Sequence, residues 1–427
     1  MRRFFGTDGV RGRVGEAPMT PEFVLALGRA AALELRGPVV LGRDTRASGP
    51  MLEAALVAGM LEAGAEVLAL GVLPTPGVAY LAGSYGARAG AVISASHNSY
   101  HDNGVKFFGE GGKKLPDEAE ARIEAALERP SAYREGGRLR AAPEGEARYL
   151  EHLLAHAPDL TGMRLVVDAA HGATYRIAPE LFSRAGAEVF AIGTSPDGRN
   201  INRGLGATRP ETMARLVAEL GYDLGVAFDG DGDRAIFADR QGRIATGDHV
   251  LYLHARVGGL GKVVGTAMSN LGLEHALRRE GVAFYRAPVG DRYVAEWMER
   301  EGAPLGGEPS GHVIFADRFH TGDGLLTVLL TLAALKESGT DLADWVDALV
   351  LYPQVIENVP VRDKNRVVAH PRLAELVREA EARLAGGRVN VRPSGTEPVV
   401  RVMVEGPEEA LVREVARALA RALAALE

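Results

Sequence analysis

The sequence has no cysteine among its 427 residues, and this absence excludes disulfide bonds, thiol catalysis and thiolate metal ligands. Long apolar runs are also missing. The longest, near Leu325 to Leu335, is too short to cross a bilayer and is typical of a buried helix. The first residues lack the apolar core of a secretory signal peptide. We therefore expect a cytoplasmic protein with no membrane partner.

An excess of positive charge is missing as well. The formal net charge is −7, which argues against nucleic acid or an anionic membrane as the main partner. Any phosphate site must then be built from a few placed basic residues. Hydrophobic residues make up 46% of the chain and charged residues 25%, as in ordinary globular proteins. The length suggests about three domains.

Three segments share one pattern, in which an apolar strand is followed by a polar loop, a helix and a second apolar run. The predicted first strands of these segments are Pro38–Leu41, Leu165–Val167 and Val263–Gly265. In each segment a glycine ends the helix before the next apolar run begins. The unit recurs at the spacing of whole domains. We therefore predict three related α/β domains, each able to offer a loop to one central cleft.

The pattern changes after Tyr352, where we predict a small C-terminal α+β domain. Its predicted strands are Val355–Val361, Arg388–Val391 and Val399–Val404, and its predicted helices are Pro371–Leu384 and Glu408–Leu426. The segment from Arg129 to Glu146 is rich in proline, glycine, arginine and glutamate, which is typical of a linker. The predicted domains are residues 1–150, 151–249, 250–352 and 353–427.

A loop rich in polar residues follows the apolar run Ala89–Val92, which we interpret as a buried strand. Between Ile93 and Phe108 the chain carries serines, histidines, asparagines, an aspartate and a lysine. Proteins of the α/β class place their chemistry at the carboxyl ends of strands, so this loop is a candidate active-site loop. Its Ser96 is predicted to be a phosphate-carrying nucleophile. The alternative is a polar turn with a capping serine.

Asp229, Asp231 and Asp233 alternate with glycines after another apolar run. The glycines let the backbone turn tightly enough for the carboxylates to converge. Carboxylates repel one another, so their convergence requires a hard cation such as Mg²⁺. An EF-hand is a poor alternative, because this chain has Arg234 and Arg240 where that loop needs glycine and glutamate. A solvated acidic turn is the other alternative.

Two further loops have side chains suited to sugar phosphates. Glu308, Ser310 and His312 lie in a glycine-rich loop and are able to hydrogen-bond sugar hydroxyls; the alternative is a polar hairpin. The second loop is a compact anion cradle with guanidinium groups, hydroxyls and a glycine: Arg392, Ser394, Gly395, Thr396 and Arg401. Its alternative is a turn with surface arginines.

Several other polar residues do not indicate a function on their own. Arg11 lies in a glycine-rich turn near the start of the chain. Arg43 and Arg46 are interpreted as ordinary salt-bridging residues. Asp168 and His171 are interpreted as structural residues of a loop.

Taken together, these loops resemble the α-D-phosphohexomutase superfamily and, within it, the bacterial phosphoglucosamine mutases. The motifs that carry the resemblance span the chain: F-G-T-D-G-V-R-G at 5–12, S-A-S-H-N at 94–98, D-N-G-V-K-F-F at 102–108, D-G-D-G-D-R at 229–234, G-E-P-S-G-H at 307–312, T-G-D-G-L at 321–325 and R-P-S-G-T-E-P at 392–398. The narrower likeness depends on P-D-G-R-N-I-N at 196–202, T-A-M-S-N-L-G-L-E at 266–274, V-G-D-R-Y-V at 289–294 and P-Q-V-I-E-N-V at 353–359.

The resemblance implies four domains around one deep cleft and a role for each matched residue. It implies a phosphoserine at Ser96, and one Mg²⁺ per chain bound by a phosphoserine oxygen together with Asp229, Asp231 and Asp233. It implies that sugar hydroxyls are bound by Glu308 and Ser310. It implies a clamp for the phosphate that is not being transferred, formed by Arg392, Ser394, Gly395, Thr396 and Arg401. The remaining matched residues would line the reaction centre: Arg11, His97, Lys106, Arg234 and His312. The proton-transfer residue stays open, with Lys106 and His312 as candidates.

The implied reaction is the interconversion of glucosamine 6-phosphate and glucosamine 1-phosphate through a bisphosphorylated sugar, on the route to UDP-N-acetylglucosamine and peptidoglycan. The partners are then small-molecule sugar phosphates. Ser96 needs an activating phosphorylation whose source the sequence leaves open. The oligomeric state also stays open, with a homodimer as one option.

The sequence departs from the family pattern at two positions. Ser99 replaces the proline that usually follows S-H-N, and Pro309 replaces the usual glutamine or methionine of the sugar-binding loop. Because Pro309 lies between two sugar-binding residues, the choice among glucosamine, glucose and mannose phosphates stays open. The alternatives are a phosphomannomutase/phosphoglucomutase with the same mechanism, a phosphatase with Asp229 as its nucleophile, and a non-catalytic sugar-phosphate sensor.

Overall fold

The computed structural model describes residues 3–6, 8–130, 133–394 and 399–426. Within these residues the strands form four sheets of six, five, four and three strands. The three larger sheets contain parallel strands, and the smallest is antiparallel. The predicted fold class is confirmed: three α/β domains are followed by a small C-terminal α+β domain.

The first domain contains a six-stranded sheet in the order β1-β5-β4-β2-β3-β6. Its strands are Val10–Arg13 (β1), Val39–Arg43 (β2), Glu66–Val72 (β3), Ala89–Ile93 (β4), Asp102–Phe108 (β5) and Arg138–Ala141 (β6). The helices in this part of the chain are Pro21–Leu35 (α1), Gly49–Glu62 (α2), Thr75–Ser84 (α3), Asp117–Ala126 (α4) and Glu144–Leu154 (α5), with a short 3₁₀ turn at Glu110–Gly112. Helices α1 and α2 meet at backbone contact, because a Cβ on Gly59 would lie 2.0 Å from the Leu25 carbonyl oxygen.

The second and third domains are smaller versions of this architecture, with strand orders β11-β10-β9-β7-β8 and β13-β12-β14-β15. The strands are Arg164–Asp168 (β7), Glu188–Ile192 (β8), Leu224–Phe228 (β9), Ala235–Asp239 (β10), Ile244–Ala245 (β11), Lys262–Thr266 (β12), Ala283–Ala287 (β13), Leu305–Gly307 (β14) and Val313–Phe315 (β15). The helices are Ile177–Arg184 (α6), Glu211–Leu220 (α7), Gly247–Val257 (α8), Leu271–Arg279 (α9), Asp291–Glu301 (α10), Gly324–Ser338 (α11) and Leu342–Ala348 (α12).

The C-terminal domain has a three-stranded antiparallel sheet in the order β16-β18-β17. Its strands are Gln354–Pro360 (β16), Arg388–Pro393 (β17) and Val399–Glu405 (β18), and its helices are Lys364–Val368 (α13), Leu373–Arg383 (α14) and Glu409–Ala424 (α15). The predicted strands and two longer helices are all present, with ends shifted by one or two residues. Helix α13 was not predicted.

Among the described residues, the C-terminal domain shares no buried apolar cluster with the first three domains. One apolar cluster runs through the first three domains and includes Val40, Phe228 and Leu325. The C-terminal cluster is built from its own residues, such as Val402 and Leu419. The first three domains therefore pack on shared apolar surface, whereas the C-terminal domain has a core of its own.

The interpretation of residues 129–146 as a linker was wrong, whereas the domain limits stay predictions. The predicted linker Arg129–Glu146 contains strand β6, which pairs in parallel with β3, and the first turn of α5. All four side chains of β6 are exposed, so backbone hydrogen bonds place this edge strand without an apolar pattern. The predicted domain limits at 150/151 and 249/250 fall within α5 and α8.

The apolar run predicted to be a buried helix is confirmed as α11, which is mostly buried. Among the described residues, no helix is both long enough and apolar enough to span a membrane. The candidate loops follow β4, β9 and β14, at the carboxyl ends of strands in three different sheets. This placement lets side chains from separate domains meet.

Candidate active site

Ser96 lies on the loop between β4 and β5, here called the serine loop (residues 94–101), and only 1% of its surface is exposed. Its φ angle is 51°, in the left-handed region that few residues other than glycine adopt. Its hydroxyl donates to Asp229 Oδ2 at 2.5 Å, and its Oγ lies 3.3 Å from His97 Nδ1. The serine of the first domain therefore meets the acidic loop of the second.

The acidic loop (residues 229–234) joins β9 to β10 and holds Asp229, Asp231 and Asp233. Each contributes one carboxylate oxygen to a group whose members lie within 4.8 Å of one another. Asp231 Oδ2 accepts hydrogen bonds from Thr75 Oγ1 at 2.7 Å and Lys106 Nζ at 2.9 Å. Asp231 Oδ1 and Asp233 Oδ1 are buried and accept no hydrogen bond from a described residue. The triad thus contains two buried carboxylate oxygens that accept no hydrogen bond from a described residue.

The electrostatics of the triad favour a bound cation. Burial raises the pKa of Asp229 well above its usual value, and the carboxylates of Asp233 and Asp231 raise it further. Burial also raises the pKa of Asp233, again with a contribution from Asp231. At Asp231 burial acts in the same direction, but Lys106 and Thr75 outweigh it and hold the pKa below its usual value. A hard divalent cation would stabilise all three charges, so the triad can hold a metal ion.

Two cations of the first domain lie beside the triad and share one carboxylate. Lys106 Nζ lies 2.9 Å from Asp231 Oδ2 and 3.0 Å from Asp8 Oδ2. Burial lowers the pKa of Lys106, but the two carboxylates more than reverse this effect, so its amine is an ammonium. Arg11 also pairs with Asp8, and its Nη1 donates to the Ala95 carbonyl at 3.5 Å. Asp8 therefore holds both cations near the serine loop.

Arg234 and His97 complete the surroundings of Ser96. Arg234 Nε lies 4.0 Å from Asp229 Oδ2 and 3.8 Å from Asp233 Oδ1. Burial lowers the pKa of Arg234, but these carboxylates raise it above its usual value. Burial, together with the charges of Arg234 and Arg11, lowers the pKa of His97 to about 4. At neutral pH the centre therefore combines fixed cations with a neutral imidazole.

The sugar-binding loop predicted from the sequence joins β14 to β15 and carries Glu308, Ser310 and His312. Glu308 Oε1 accepts the Gly290 N–H at 3.1 Å, and Ser310 Oγ donates to Glu308 Oε2 at 3.4 Å. His312 is 2% exposed, and neither ring nitrogen has a hydrogen-bond partner among the described residues. Its Nε2 lies 3.7 Å from Asp291 Oδ2. These polar groups of the third domain are thus available to a ligand.

Asp291 connects this loop to the charged residues near Ser96. Lys114 Nζ forms an ion pair with Asp291 and lies 3.4 Å from Asp8 Oδ1. Burial raises the pKa of the Asp291 carboxyl, but Lys114 outweighs it and holds the pKa below its usual value. A chain of alternating charges therefore links the first domain to the third.

Arg392 and Arg401 form a cross-strand pair on β17 and β18 of the C-terminal sheet. Burial lowers the pKa of Arg392, and the neighbouring charge of Arg401 lowers it further. Both residues line a cavity of about 260 Å³ that also contacts Met268 of the third domain. Two guanidinium groups held side by side at a cavity favour an anionic ligand.

Ser394 follows β17, two residues after Arg392, and is buried. Lys364 Nζ donates to the Ser394 carbonyl at 2.5 Å. The predicted residues Gly395 and Thr396 lie outside the described residues.

The predicted residues that the structure describes lie in two groups. The first is the reaction centre with the adjoining third-domain loop: Arg11, Ser96, His97, Lys106, Asp229, Asp231, Asp233, Arg234, Glu308, Ser310 and His312. The second lies on the C-terminal domain: Arg392, Ser394 and Arg401.

Sequence reasoning missed or underrated three residues near the serine. Thr75, at the start of α3, contacts Asp231 although 156 positions separate them in the chain. Arg46 does pair with Asp44, as expected of a salt-bridging residue, but it is completely buried under the serine loop. Asn202 of the second domain reaches the same loop. The local signals were the R-D-T-R motif after a buried strand, which contains Arg46, and the P-D-G-R-N-I-N motif, which ends at Asn202.

Comparison with known proteins gives one consistent result. Four domain models of the phosphoglucomutase/phosphomannomutase family match the chain in order: domain I at 2–134, domain II at 147–242, domain III at 246–352 and the C-terminal domain at 357–422. The chain belongs to this family.

Full-length relatives show which subfamily this chain is most similar to. A phosphoglucosamine mutase of Thermus thermophilus is 62% identical, over 100% of this chain and 98% of the relative. That of Deinococcus radiodurans is 52% identical, over 98% and 97%. Both relatives carry the name of the subfamily that the sequence motifs resembled.

Solved structures agree with the family assignment. A phosphoglucomutase/phosphomannomutase family protein of Burkholderia thailandensis superposes with a TM-score of 0.81 at 26% identity, over 100% of this chain and 98% of that one. A putative phosphomannomutase of Thermus thermophilus gives 0.77 at 26%, over 98% of each chain. The predicted family is confirmed, and this phosphohexomutase family member is an enzyme that transfers phosphate within a sugar. The alternative of a non-catalytic sensor is thereby excluded.

Proposed function

We propose that this family member interconverts glucosamine 6-phosphate and glucosamine 1-phosphate, with Ser96 as the phosphoryl carrier. The observation that carries the proposal is the 2.5 Å contact between Ser96 Oγ and Asp229 Oδ2, within a triad suited to a cation. Relatives at 62% and 52% identity, both named phosphoglucosamine mutase, support the choice of sugar. The names of structures at 26% identity favour a phosphomannomutase/phosphoglucomutase, which is our second candidate.

The proposed cofactor is one Mg²⁺ per chain, held by Asp229, Asp231, Asp233 and an oxygen of phosphorylated Ser96. The donor-free oxygens of Asp231 and Asp233 and the oxygen spacing of the triad support this ligand set. When bound, the ion supplies positive charge and a template for the phosphoryl oxygens.

Phosphoryl transfer breaks the bond between phosphorus and Ser96 Oγ and forms one between phosphorus and a sugar hydroxyl oxygen. The sugar hydroxyl loses a proton, and Ser96 Oγ gains one. Arg234 and Lys106 are fixed cations that would neutralise the phosphoryl oxygens. Neutral His97 lies 3.3 Å from Oγ, so we propose that it exchanges the serine proton. His312, whose ring nitrogens have no described partner, is our candidate for the sugar proton.

The bisphosphorylated sugar then reorients and returns its other phosphate to Ser96. In each half-reaction one phosphate undergoes no bond change and must be held in place. We assign this task to Arg392 and Arg401, which lie side by side at a cavity, together with Ser394 and the predicted Gly395 and Thr396. We assign the sugar hydroxyls to Glu308 and Ser310.

The decisive test of the carrier is Ser96→Ala. We expect loss of mutase turnover with little change in melting temperature, because one loop hydroxyl adds little to stability. Ser99→Ala is the matched control, since Ser99 lies on the same loop and is exposed. Ser96→Ala turnover close to that of the control, in protein freed of contaminating mutase, would reject the proposal.

The choice of sugar is tested by comparing kcat/KM for the 6-phosphates of glucosamine, glucose and mannose in the presence of Mg²⁺. We expect glucosamine 6-phosphate to be preferred. A preference for glucose or mannose would favour the second candidate. The predicted aspartyl-phosphatase alternative would show a phosphoenzyme that hydroxylamine cleaves, whereas phosphoserine resists it.

Four further expectations stay predictions. They are the domain limits, the cytoplasmic location, the activating phosphorylation of Ser96 and a homodimer as one option for the oligomeric state. Size-exclusion chromatography with light scattering would determine whether the chain forms a homodimer, and cell fractionation would determine its location.

A further inference from the structure

One buried guanidinium lies directly under the serine loop. Arg46, on the turn after β2, has no exposed surface. Its Nε donates to Asp44 Oδ2 at 2.8 Å, and its two terminal nitrogens contact four backbone carbonyls. These are the carbonyls of Ser96 at 2.8 Å, Asn98 at 2.9 Å, Asp102 at 3.1 Å and Ser99. The five N–H groups of the guanidinium thus have five acceptors.

The N–H of Ser96 is connected to the Asp44 carboxylate by hydrogen bonds through Ser94. It donates to Ser94 Oγ at 2.9 Å, and the Ser94 hydroxyl donates to Asp44 Oδ2 at 2.7 Å. Asp44 therefore connects to Ser96 twice, through Ser94 on the amide side and through Arg46 on the carbonyl side. Both peptide groups of the serine are held by one buried carboxylate.

The second domain contacts the same carbonyls from the other side. Asn202 Nδ2 donates to the Ser96 carbonyl at 2.9 Å and to the Asn98 carbonyl at 3.1 Å. Gly230 of the acidic loop lies against this contact. A Cβ on Gly230 would be 2.5 Å from the Ser96 carbonyl oxygen and 2.8 Å from Asn202 Nδ2. The serine loop and the acidic loop are therefore fixed against each other.

This arrangement holds Ser96 in a conformation that it would not keep alone. A serine with a φ of 51° is strained, and such a residue persists only when its surroundings determine its geometry. Rotation of its peptide groups would move Oγ away from Asp229, which it now contacts at 2.5 Å.

We propose that Arg46 and Asn202 are positioning residues for phosphoryl transfer. They fix the backbone around Ser96 so that its phosphoryl group lies in line with the accepting sugar hydroxyl. The inference rests on the proposed role of Ser96 as the carrier. Neither side chain needs to touch the sugar or the transferred phosphorus for this role.

A positioning role has a signature that a purely structural role lacks. Transfer to a sugar needs alignment with one held hydroxyl, and a misplacement of about 1 Å can reduce the rate about 100-fold. Hydrolysis of the phosphoserine is less sensitive, because water can approach from several directions. Misalignment should therefore lower the ratio of sugar transfer to hydrolysis. A loss of folded protein would lower both rates equally and leave the ratio unchanged.

The test variant is Asn202→Asp. Aspartate tolerates the φ of 59° at this position, but it places an anionic acceptor against two carbonyls. The matched control is Asn200→Ala, because within the described residues Asn200 bonds only inside its own turn. Each protein is phosphorylated with a radiolabelled phosphoryl group, and label on sugar and label in inorganic phosphate are followed with and without glucosamine 6-phosphate.

We expect Asn202→Asp to lower kcat and the transfer-to-hydrolysis ratio about 10- to 100-fold. The KM should stay within about threefold, because the proposed phosphate clamp lies on another domain. The control should match the parent protein. An unchanged ratio in Asn202→Asp would overturn the positioning role of Asn202, whatever its effect on melting temperature.

Arg46→Lys provides a second, independent test of the positioning role. Lysine keeps a cation beside Asp44 but has a single nitrogen, so it cannot bond all four carbonyls. We expect a lower ratio than in the parent protein, and a still lower one in Arg46→Ala. Because the ratio does not depend on the folded fraction, partial unfolding does not obscure this ranking. Equal ratios in the parent, lysine and alanine forms would reject the role of Arg46.

The failure of this inference is distinguishable from failure of the proposed function. If Ser96→Ala retains turnover, Ser96 is not the carrier and the proposed function fails first. If Ser96→Ala is inactive while the Asn202 and Arg46 variants keep the parent ratio, the carrier stands and the positioning role is rejected.

Discussion

The reaction centre around Ser96 and the arginine pair of the C-terminal domain are built in different ways. The reaction centre draws loops from two domains that share one apolar core, and Ser96 and Asp229 are both essentially buried. The arginine pair lies on a sheet with a separate core. One site is embedded in the shared interior, whereas the other belongs to a domain that could move as a body.

Several hydrogen bonds join the C-terminal domain to the third domain. Arg388 donates to the carbonyls of Ala267 and Ser269 at 2.8 Å, and Leu271 N–H donates to Glu405 Oε1 at 3.0 Å. Hydrogen bonds at a domain edge can re-form after a small rotation more readily than a shared core can repack. The difference suits a fixed transfer centre served by an adjustable phosphate clamp.

The largest expected effect comes from Asp231→Asn in the reaction centre. Removing one anionic ligand weakens the cation site and its field, so we expect kcat to fall about 1000-fold. The melting temperature should change little by comparison. Excess Mg²⁺ should restore activity only in part, and EDTA should inactivate the parent enzyme. Full activity of the parent after EDTA treatment and dialysis would contradict the metal assignment.

The next largest effect is expected from Arg392→Ala in the proposed phosphate clamp. Loss of a charge-assisted contact to phosphate should cost about 2–3 kcal/mol, or about 100-fold in kcat/KM, in both directions of the reaction. Hydrolysis of phosphorylated Ser96 should be nearly unaffected, because water has no second phosphate. Arg378→Ala, on an exposed position of α14, is the control. Equal losses in turnover and hydrolysis would instead place Arg392 at the reaction centre.

Arg388→Ala addresses the attachment of the C-terminal domain. It removes the ion-pair partner of Glu405, which is completely buried, and breaking a buried ion pair costs about 3 kcal/mol. We expect a separate, lower-temperature unfolding step for the C-terminal domain in calorimetry. The KM for glucosamine 6-phosphate should rise, while phosphoserine hydrolysis stays unchanged. A single transition shifted as a whole would show that the two cores unfold together.

The smallest effect is expected from Lys364→Met. Lys364 donates to the Ser394 carbonyl, whereas Arg46 donates to three carbonyls of the serine loop and to the carbonyl of Asp102. If the clamp is the more adjustable site, losing this contact should raise KM only about threefold and leave kcat nearly unchanged. A larger loss than that caused by Asn202→Asp would reverse the comparison between the two sites.

Much of the fold and the candidate site could be predicted from the sequence, because the relevant signals are local. Apolar runs and glycine stops predicted the parallel units, and the polar residues after them predicted the loops around Ser96 and Asp229. Strand β6 was missed because its four exposed residues have no apolar pattern. Helix α13 was missed because it is only five residues long.

The local sequence accounts for which chemical groups are present and which strand each loop follows, since side-chain type and strand periodicity are properties of neighbouring residues. The groups that support the serine come together only when the domains pack. Arg46, Asn202 and Thr75 contact partners 50, 106 and 156 positions away in the chain. Such contacts depend on how the domains pack, and a buried arginine or a loop asparagine looks the same in sequence whether it binds a serine loop or solvent.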